Sequence, residues 1–201
     1  VDQCNLARVF LTNQYNDAFE GLDTSFYTPC LRTEPFVIAM DNVAERERMA
    51  RYLGRPIRTP VDVAAVIDKT FAYFVEWGMG YAAMSIPVGW QTFAVSDEDA
   101  ARLLDKAVAG TRWSAQDSQA WGAYAFCLLA NACREYDKPF HLMIGVDRGV
   151  YAHGVPGGVD LYDSVNSMRG FDYLLNQYPD VRFPTAVLSD TTGGELTAAA
   201  W

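Results

Sequence analysis

The sequence predicts an α/β fold built on a parallel sheet. Three observations support this prediction: short apolar runs bounded by polar or turn residues, helix-capping signals between those runs, and a regular alternation of the two. Right-handed strand–helix–strand units follow from such an alternation. An open doubly wound sheet and an incomplete eight-stranded barrel both agree with the pattern, and the run of strands suits a barrel that continues on both sides.

The first half of the chain contains three predicted strands and one predicted helix. Residues 6–12 (LARVFLT), residues 35–40 (PFVIAM) and residues 81–86 (YAAMSI) are apolar runs that end at polar residues or proline. Bounded runs of this kind are typical of strands buried on both faces. Between the last two, Thr59 predicts a helix N-cap and Pro60 suits the first helical position.

The second half repeats this pattern. Ser96 and Ser114 are each followed, three residues later, by an aspartate, and this spacing predicts capped helices of about residues 97–108 and from residue 115. The second of these keeps helical apolar spacing over several turns. Residues 140–144 (FHLMI) then predict a strand that Gly145 ends.

The last part begins with a Gly-rich loop. Apolar residues at helical spacing between residues 165 and 178 predict a helix, and residues 181–188 predict the last strand. A further helix is predicted to open near Gly193. The chain starts at Val1 without Met and stops at Trp201 just after that helix opens, so we expect an internal segment of a longer polypeptide.

Composition excludes some classes of function. The 201 residues carry a formal net charge of −9, which argues against a nucleic-acid partner but allows a small anionic substrate. No apolar run is long enough to span a membrane. The four cysteines form no CxxC pair, so we expect buried free thiols and a cytoplasmic protein.

Active sites of parallel α/β folds lie at the carboxyl ends of the strands. The sequence places there a set of polar candidates: Asn13, Gln14, Asp41, Asn42, Ser85, His141, Arg148, Ser189 and Asp190. Arg148 could bind a carboxylate in bidentate fashion, or form a surface salt bridge. Asp190 could act as a general base, or cap the following helix.

The sequence contains two histidines, His141 and His153. His141 lies within the apolar strand FHLMI, where an imidazole needs a hydrogen-bond partner or a metal ion. Strand alternation favours a side chain that points toward the barrel axis. His153 lies in the Gly-rich loop and is either solvated or a mobile donor to substrate.

Several segments resemble uronate isomerases of the amidohydrolase superfamily. The segment KPFHLMIGVDR is similar to their fifth-strand segment, which bears a metal-binding histidine and a downstream arginine. The resemblance extends to LARVFLTNQYNDAF for the second strand and FYTPCLRTEPFVIAMDN for the third, where an arginine precedes a proline-containing turn. The fourth and sixth strands are matched by IRTPVDVAAVIDKTFAYFVEWGMGYAAMS and YPDVRFPTAVLSD.

The resemblance implies that residues 1–201 are part of a single metal-dependent TIM-like (β/α) barrel, incomplete here and covering about strands 2–6. It implies a divalent metal, usually zinc, with His141 as a ligand and Arg148 in contact with substrate; the substrate contact predicted for His153 rests on its place in the Gly-rich loop alone. The family's other ligands, a His-x-His on the first strand and an Asp on the eighth, fall outside this segment. The acidic–histidine pair of the family's fourth strand is also missing, since Ala83-Met84-Ser85 stands there.

The implied function is a uronate isomerase-like interconversion of the aldose and ketose forms of a sugar acid, with Asp190 as the candidate base. Two alternatives stay open: a metal-dependent hydrolase acting on a small carboxylated substrate, and a catalytically silent barrel that serves as a binding protein. A small-molecule anionic partner and a possible homo-oligomer complete these expectations.

Overall fold

The computed structural model describes residues 4–147, 161–162 and 167–199. The strands are β1 (Val9–Phe10), β2 (Tyr27–Thr28), β3 (Leu31–Arg32), β4 (Ala82–Ile86), β5 (Phe140–Ile144), β6 (Val146–Asp147), β7 (Leu161–Tyr162) and β8 (Thr185–Val187). The helices are α1 (Glu34–Ile38), α2 (Val43–Leu53), α3 (Pro60–Glu76), α4 (Asp97–Val108), α5 (Ala115–Glu135), α6 (Asp172–Gln177) and α7 (Asp190–Ala199), with a 3-10 helix at Met168–Phe171.

The main sheet has the strand order β3-β4-β5-β8, and every pair in it is parallel. β1 pairs in parallel with β2, and a parallel bridge joins Asn13 to Leu31, so the β1 segment lies beside the segment that contains β2 and β3. Order in space therefore follows order in the chain. A doubly wound sheet reverses its order at a switch point, so this topology favours a barrel.

The two faces of β5 differ in burial. Phe140, Leu142 and Ile144 are buried and belong to the hydrophobic core, while His141 and Met143 alternate with them and are only partly buried. Because successive side chains of a strand point to opposite faces, one face packs under the helices and the other is open. We call the open face the inner face.

The helix starts predicted at Thr59, Ser96 and Ser114 are confirmed. Thr59 accepts a hydrogen bond from the backbone N–H of Asp62, whose carboxylate accepts from the N–H of Thr59. Ser114 and Asp117 form the same reciprocal cap at the start of α5. These local hydrogen bonds satisfy amide groups that a helix leaves free at its first turn, which is why the capping pattern locates α3 and α5 correctly.

The strand predicted at residues 35–40 is wrong, because this run lies mostly within the short helix α1. Glu34 and Pro35 occupy its first turn, where proline and an acidic side chain are both favourable. Its buried Phe36 accepts a hydrogen bond at its carbonyl from the Trp121 indole at 2.9 Å. The strands of this region, β2 and β3, lie just upstream, and Pro29 between them made the segment look like a turn in the sequence.

The strands predicted at residues 6–12 and 181–188 are shorter than expected, at Val9–Phe10 and Thr185–Val187, and the first is not buried, since Phe10 is 55% exposed. The remaining differences lie at local boundaries. Asn42 caps α2, since its side chain accepts from the N–H groups of Ala44 and Glu45, so Asp41 and Asn42 do not follow a strand. The last helix begins at Asp190, before Gly193. Within the described ranges, no helix is long and apolar enough to cross a membrane.

All four cysteines are free thiols, as predicted. Cys30 and Cys133 are buried, and Cys127 is partly buried. The expectation of burial is wrong for Cys4, which is exposed. It precedes β1, where few elements cover the chain.

Candidate functional site

The inner face of the sheet bounds a cavity of about 320 Å³. Its size falls at the lower end of the range typical of small-molecule sites. Side chains from neighbouring strands and from the turn after β3 line it: Thr12, Cys30, Leu31, Arg32, Glu34, Tyr81, Ala83, Ser85, His141 and Met143. Ser85 and His141, which the sequence predicted at the carboxyl ends of strands, share this cavity. Ser85 does lie near the carboxyl end of β4, but His141 is the second residue of β5 and lies near its amino end.

Sheet register sets the geometry of this cavity. Arg32 lies opposite Ala83 on β4, and Ala83 lies opposite His141 on β5. Because neighbouring strands are about 4.8 Å apart, the Cα atoms of Arg32 and His141 are roughly 10 Å apart across the row. The methyl group of Ala83 leaves the space between their longer side chains open, so the row has a cationic end, a small centre and an imidazole end.

Glu34 forms the wall next to this row. It is the first residue of α1, and 13% of its side chain is exposed. Its Oε1 accepts hydrogen bonds from the N–H of Ser85 at 3.2 Å and from Nη2 of Arg32 at 3.4 Å. Its Oε2 is buried and has no hydrogen-bond partner among the described residues. The same carboxylate thus joins β4 to the turn after β3 and retains an unused acceptor.

The imidazole of His141 is partly buried. Burial lowers its pKa, because a charged ring is poorly solvated there. Its described aromatic neighbour is Tyr81, which meets the ring edge-on with a centroid distance of 5.5 Å. A neutral imidazole can accept or donate one hydrogen bond, or bind a metal ion through a ring nitrogen.

Tyr81 and Cys30 form the less polar part of the cavity wall. Burial raises the pKa of both groups, so phenol and thiol stay protonated near neutral pH. Among the described lining residues, the charged groups are therefore Arg32 and Glu34. Arg32 is the more exposed of the two, with 39% of its side chain accessible, and its guanidinium is available to an anionic ligand.

Some of the other predicted site residues lie outside the described part of the chain. Arg148 and His153 lie outside the described residues. Asp190 is the first residue of α7, directly after Ser189 and the β8 segment, and its side chain lies outside the description. Its proposed catalytic role therefore stays a prediction. Asn13 ends the β1 segment, where its amide donates to Asp17 and its Oδ1 is buried without a partner among the described residues.

Sequence reasoning missed Arg32 and Glu34 as site residues. The misplaced strand at residues 35–40 moved the predicted strand end to Asp41, well past them. A usable signal was present, because Thr33-Glu34-Pro35 combines an acidic residue and a proline at a helix start. The third-strand resemblance also includes an arginine before a proline-containing turn, which corresponds to Arg32 here.

The described residues do not by themselves form a metal site. They contain no group of three or more His, Cys, Asp or Glu side chains that could hold a metal ion. His141 and Glu34 supply at most a nitrogen and a carboxylate, which is fewer than the ligands of a typical zinc centre. The predicted zinc therefore needs donors from outside this part of the chain.

No family model matches the chain. No curated protein matches it either. Several solved structures are similar to the chain. The chain is similar to a uronate isomerase from Thermotoga maritima, with a TM-score of 0.89 and 17% identity over 99% of this chain and 48% of that one.

Two further solved structures are similar. A glucuronate isomerase from Caulobacter crescentus has a TM-score of 0.81 and 16% identity over 95% of this chain and 43% of its own. A uronate isomerase from Bacillus halodurans has a TM-score of 0.69 and 20% identity over 99% of this chain and 43% of its own. The chain spans less than half the length of these structures. At such identities the likeness shows the fold alone, and it confirms the predicted partial TIM-barrel-like α/β fold.

Proposed function

We propose that this chain carries part of the active site of a uronate isomerase-like enzyme, which interconverts the aldose and ketose forms of a sugar acid. The observation that carries the proposal is the convergence of Arg32, Glu34 and His141 on one inner-face cavity. The fold shared with uronate isomerases supports the same reading. A cavity with a few convergent polar groups is the usual form of a small-molecule site.

The chemistry needs a carboxylate anchor and a group that moves a proton between adjacent carbons. Arg32 provides the anchor, because a guanidinium binds a carboxylate through two parallel hydrogen bonds. The predicted contacts of Arg148 and His153 with substrate, and a role of Asp190 in proton transfer, belong to the same proposal. The wall of Tyr81 and Cys30 carries no charge, and Tyr81 lies against the ring of His141.

A divalent cation, zinc in our prediction, would polarise the carbonyl oxygen of the substrate when bound. His141 would contribute a ring nitrogen to it, together with donors from outside the described residues. A small anionic substrate, the absence of a nucleic-acid partner, a cytoplasmic location and possible self-assembly remain predictions. They rest on the composition of the chain and on the resemblance.

The proposal is tested by following D-glucuronate and D-galacturonate with the intact protein by proton NMR. We expect conversion to the 2-keto form, and Arg32→Met should raise KM roughly 10- to 150-fold, because a charge-assisted bond to the substrate is lost. Arg102→Met is the matched control. Arg102 lies on α4 and pairs with Glu98 and Asp99 away from the cavity.

Conversion that is absent for both hexuronates would contradict the isomerase proposal. A panel of lactones, esters and amides of small carboxylic acids then tests the hydrolase alternative. Turnover of neither group of compounds would favour the silent binding protein. Equal KM values for Arg32→Met and the wild type would show that Arg32 is not the anchor.

A further inference from the structure

The carboxylate of Glu34 has features that substrate binding by Arg32 does not explain. Among the described residues, three buried side-chain atoms lack a hydrogen-bond partner: Asn13 Oδ1, Glu34 Oε2 and Trp90 Nε1. Glu34 alone of these three is an ionisable group, and it also lines the cavity that contains His141. Burying a carboxylate oxygen without a donor costs free energy. An unsatisfied acceptor of this kind in a cavity wall calls for a functional explanation.

The surroundings of Glu34 hold it in place. Both of its donors, the N–H of Ser85 and Nη2 of Arg32, converge on Oε1. The preceding Thr33 is fully buried, and its hydroxyl donates to the carbonyl of Ala83 at 2.9 Å. The turn that carries Glu34 is therefore fastened to β4 at two successive residues. The carboxylate is positioned, yet one oxygen keeps its lone pairs unused.

We propose that Glu34, in place of Asp190, is the proton acceptor of the isomerisation, an inference that otherwise rests on the proposed function. The last torsion of a glutamate side chain is broad, so a small rotation turns Oε2 from its buried position toward a ligand in the cavity. There it accepts the proton on the carbon next to the substrate carbonyl. A general base must reach the proton that it removes, and Glu34 lines the cavity in which the substrate would lie.

The step balances without an oxidant or a reductant. Glu34 takes the proton from C2, the C2–H electron pair forms the C1–C2 double bond, and the carbonyl oxygen at C1 takes up a proton. The resulting enediol returns to a carbonyl at C2 when the C2 hydroxyl loses its proton and the carboxylic acid of Glu34 gives its proton to C1. One hydrogen moves from C2 to C1 and one from O2 to O1.

Glu34→Gln separates this role from a structural one. Glutamine keeps the length of the side chain and its Oε1 acceptor, so the bond from Ser85 persists, but its amide nitrogen cannot accept a proton. In D₂O we expect exchange of the substrate C2 proton and kcat both to fall roughly 100-fold or more, while KM changes little. Glu98→Gln on the exposed face of α4 is the matched control and should behave as the wild type.

The outcomes are distinct. If the wild type isomerises hexuronates and Glu34→Gln keeps wild-type exchange, Glu34 is not the base. If Asp190→Asn alone stops exchange, Asp190 holds that role and the inference is overturned. If the wild type does not isomerise hexuronates at all, the proposed function fails and this inference fails with it. Thermal melting checks the folding of each variant, and Glu34→Asp, which keeps the charge on a shorter side chain, should retain partial exchange if Glu34→Gln does not fold.

Discussion

Two adjacent alanines of β4 offer a sharp test of the inner-face cavity. Ala82 is fully buried on the core side, where it pairs with Leu31 and Phe140. Ala83 is 7% exposed and lines the cavity. The same substitution, alanine to leucine, should therefore have opposite consequences at these two positions.

The expected magnitudes follow from the two environments. Ala82→Leu forces three carbon atoms into a packed core, and overpacking of this kind costs typically about 1–3 kcal/mol. For a chain of this size that loss lowers Tm by about 2–12 °C. Ala83→Leu adds the same atoms to a cavity of about 320 Å³, so its Tm should stay close to that of the wild type.

Function should change in the reverse order. The leucine at position 83 occupies the gap between Arg32 and His141, so hexuronate binding should weaken by at least about tenfold, the equivalent of 1.4 kcal/mol. Ala82→Leu that still folds should bind as the wild type does. Calorimetric melting and isothermal titration with D-glucuronate measure both effects. A Tm loss for Ala83→Leu as large as that for Ala82→Leu would refute the register and the open inner face.

Three further predictions concern single sites. A Cβ at Gly122 would lie 1.9 Å from Cζ2 of Trp90, so Gly122→Ala should destabilise the protein by about 1–3 kcal/mol in chemical denaturation, and unchanged stability would contradict the packing of Trp90 on α5. Burial lowers the pKa of His141 below its ordinary value, so the unfolded chain takes up a proton there more readily than the folded one, and stability falls as the pH drops through the ordinary histidine pKa. The Tm of the wild type should therefore fall relative to that of His141→Gln between pH 7.5 and 5, and a constant difference would refute the burial of the ring. Metal content of the intact protein should be lower in His141→Ala than in the wild type, and equal content would remove His141 as a ligand.

Local signals explain the parts of the fold that the sequence predicted well. The caps at Thr59 and Ser114 are hydrogen bonds between residues three apart, so they can be identified without knowledge of the tertiary structure. The run at Phe140–Ile144 is bounded by Pro139 and Gly145, and its strand assignment is confirmed. Apolar runs with clear boundaries and local caps leave few competing interpretations.

Tertiary packing explains why the strand predicted at residues 35–40 is wrong. The run at residues 35–40 is more apolar than the YTPCLR segment before it, and short apolar runs do not distinguish a strand from a buried helix. Contacts with α5, including the bond from Trp121 to Phe36, stabilise the helix there. This misassignment displaced the predicted strand end and hid Arg32 and Glu34.

The site itself depends on register between strands that are distant in the chain. His141 could be recognised from its apolar strand, because a polar imidazole in such a run needs an explanation. Its alignment with Arg32 through Ala83 follows from sheet pairing, which periodicity within one segment does not specify. The roles predicted for Arg148, His153 and Asp190 remain predictions.

A crystal structure of the protein with bound D-glucuronate tests the central claim most directly. The account predicts the ligand in the inner-face cavity, with its carboxylate within hydrogen-bond distance of Arg32 and its C1–C2 end facing Glu34 and His141. A hexuronate bound at another surface, with this cavity still empty at saturating ligand, would contradict the account.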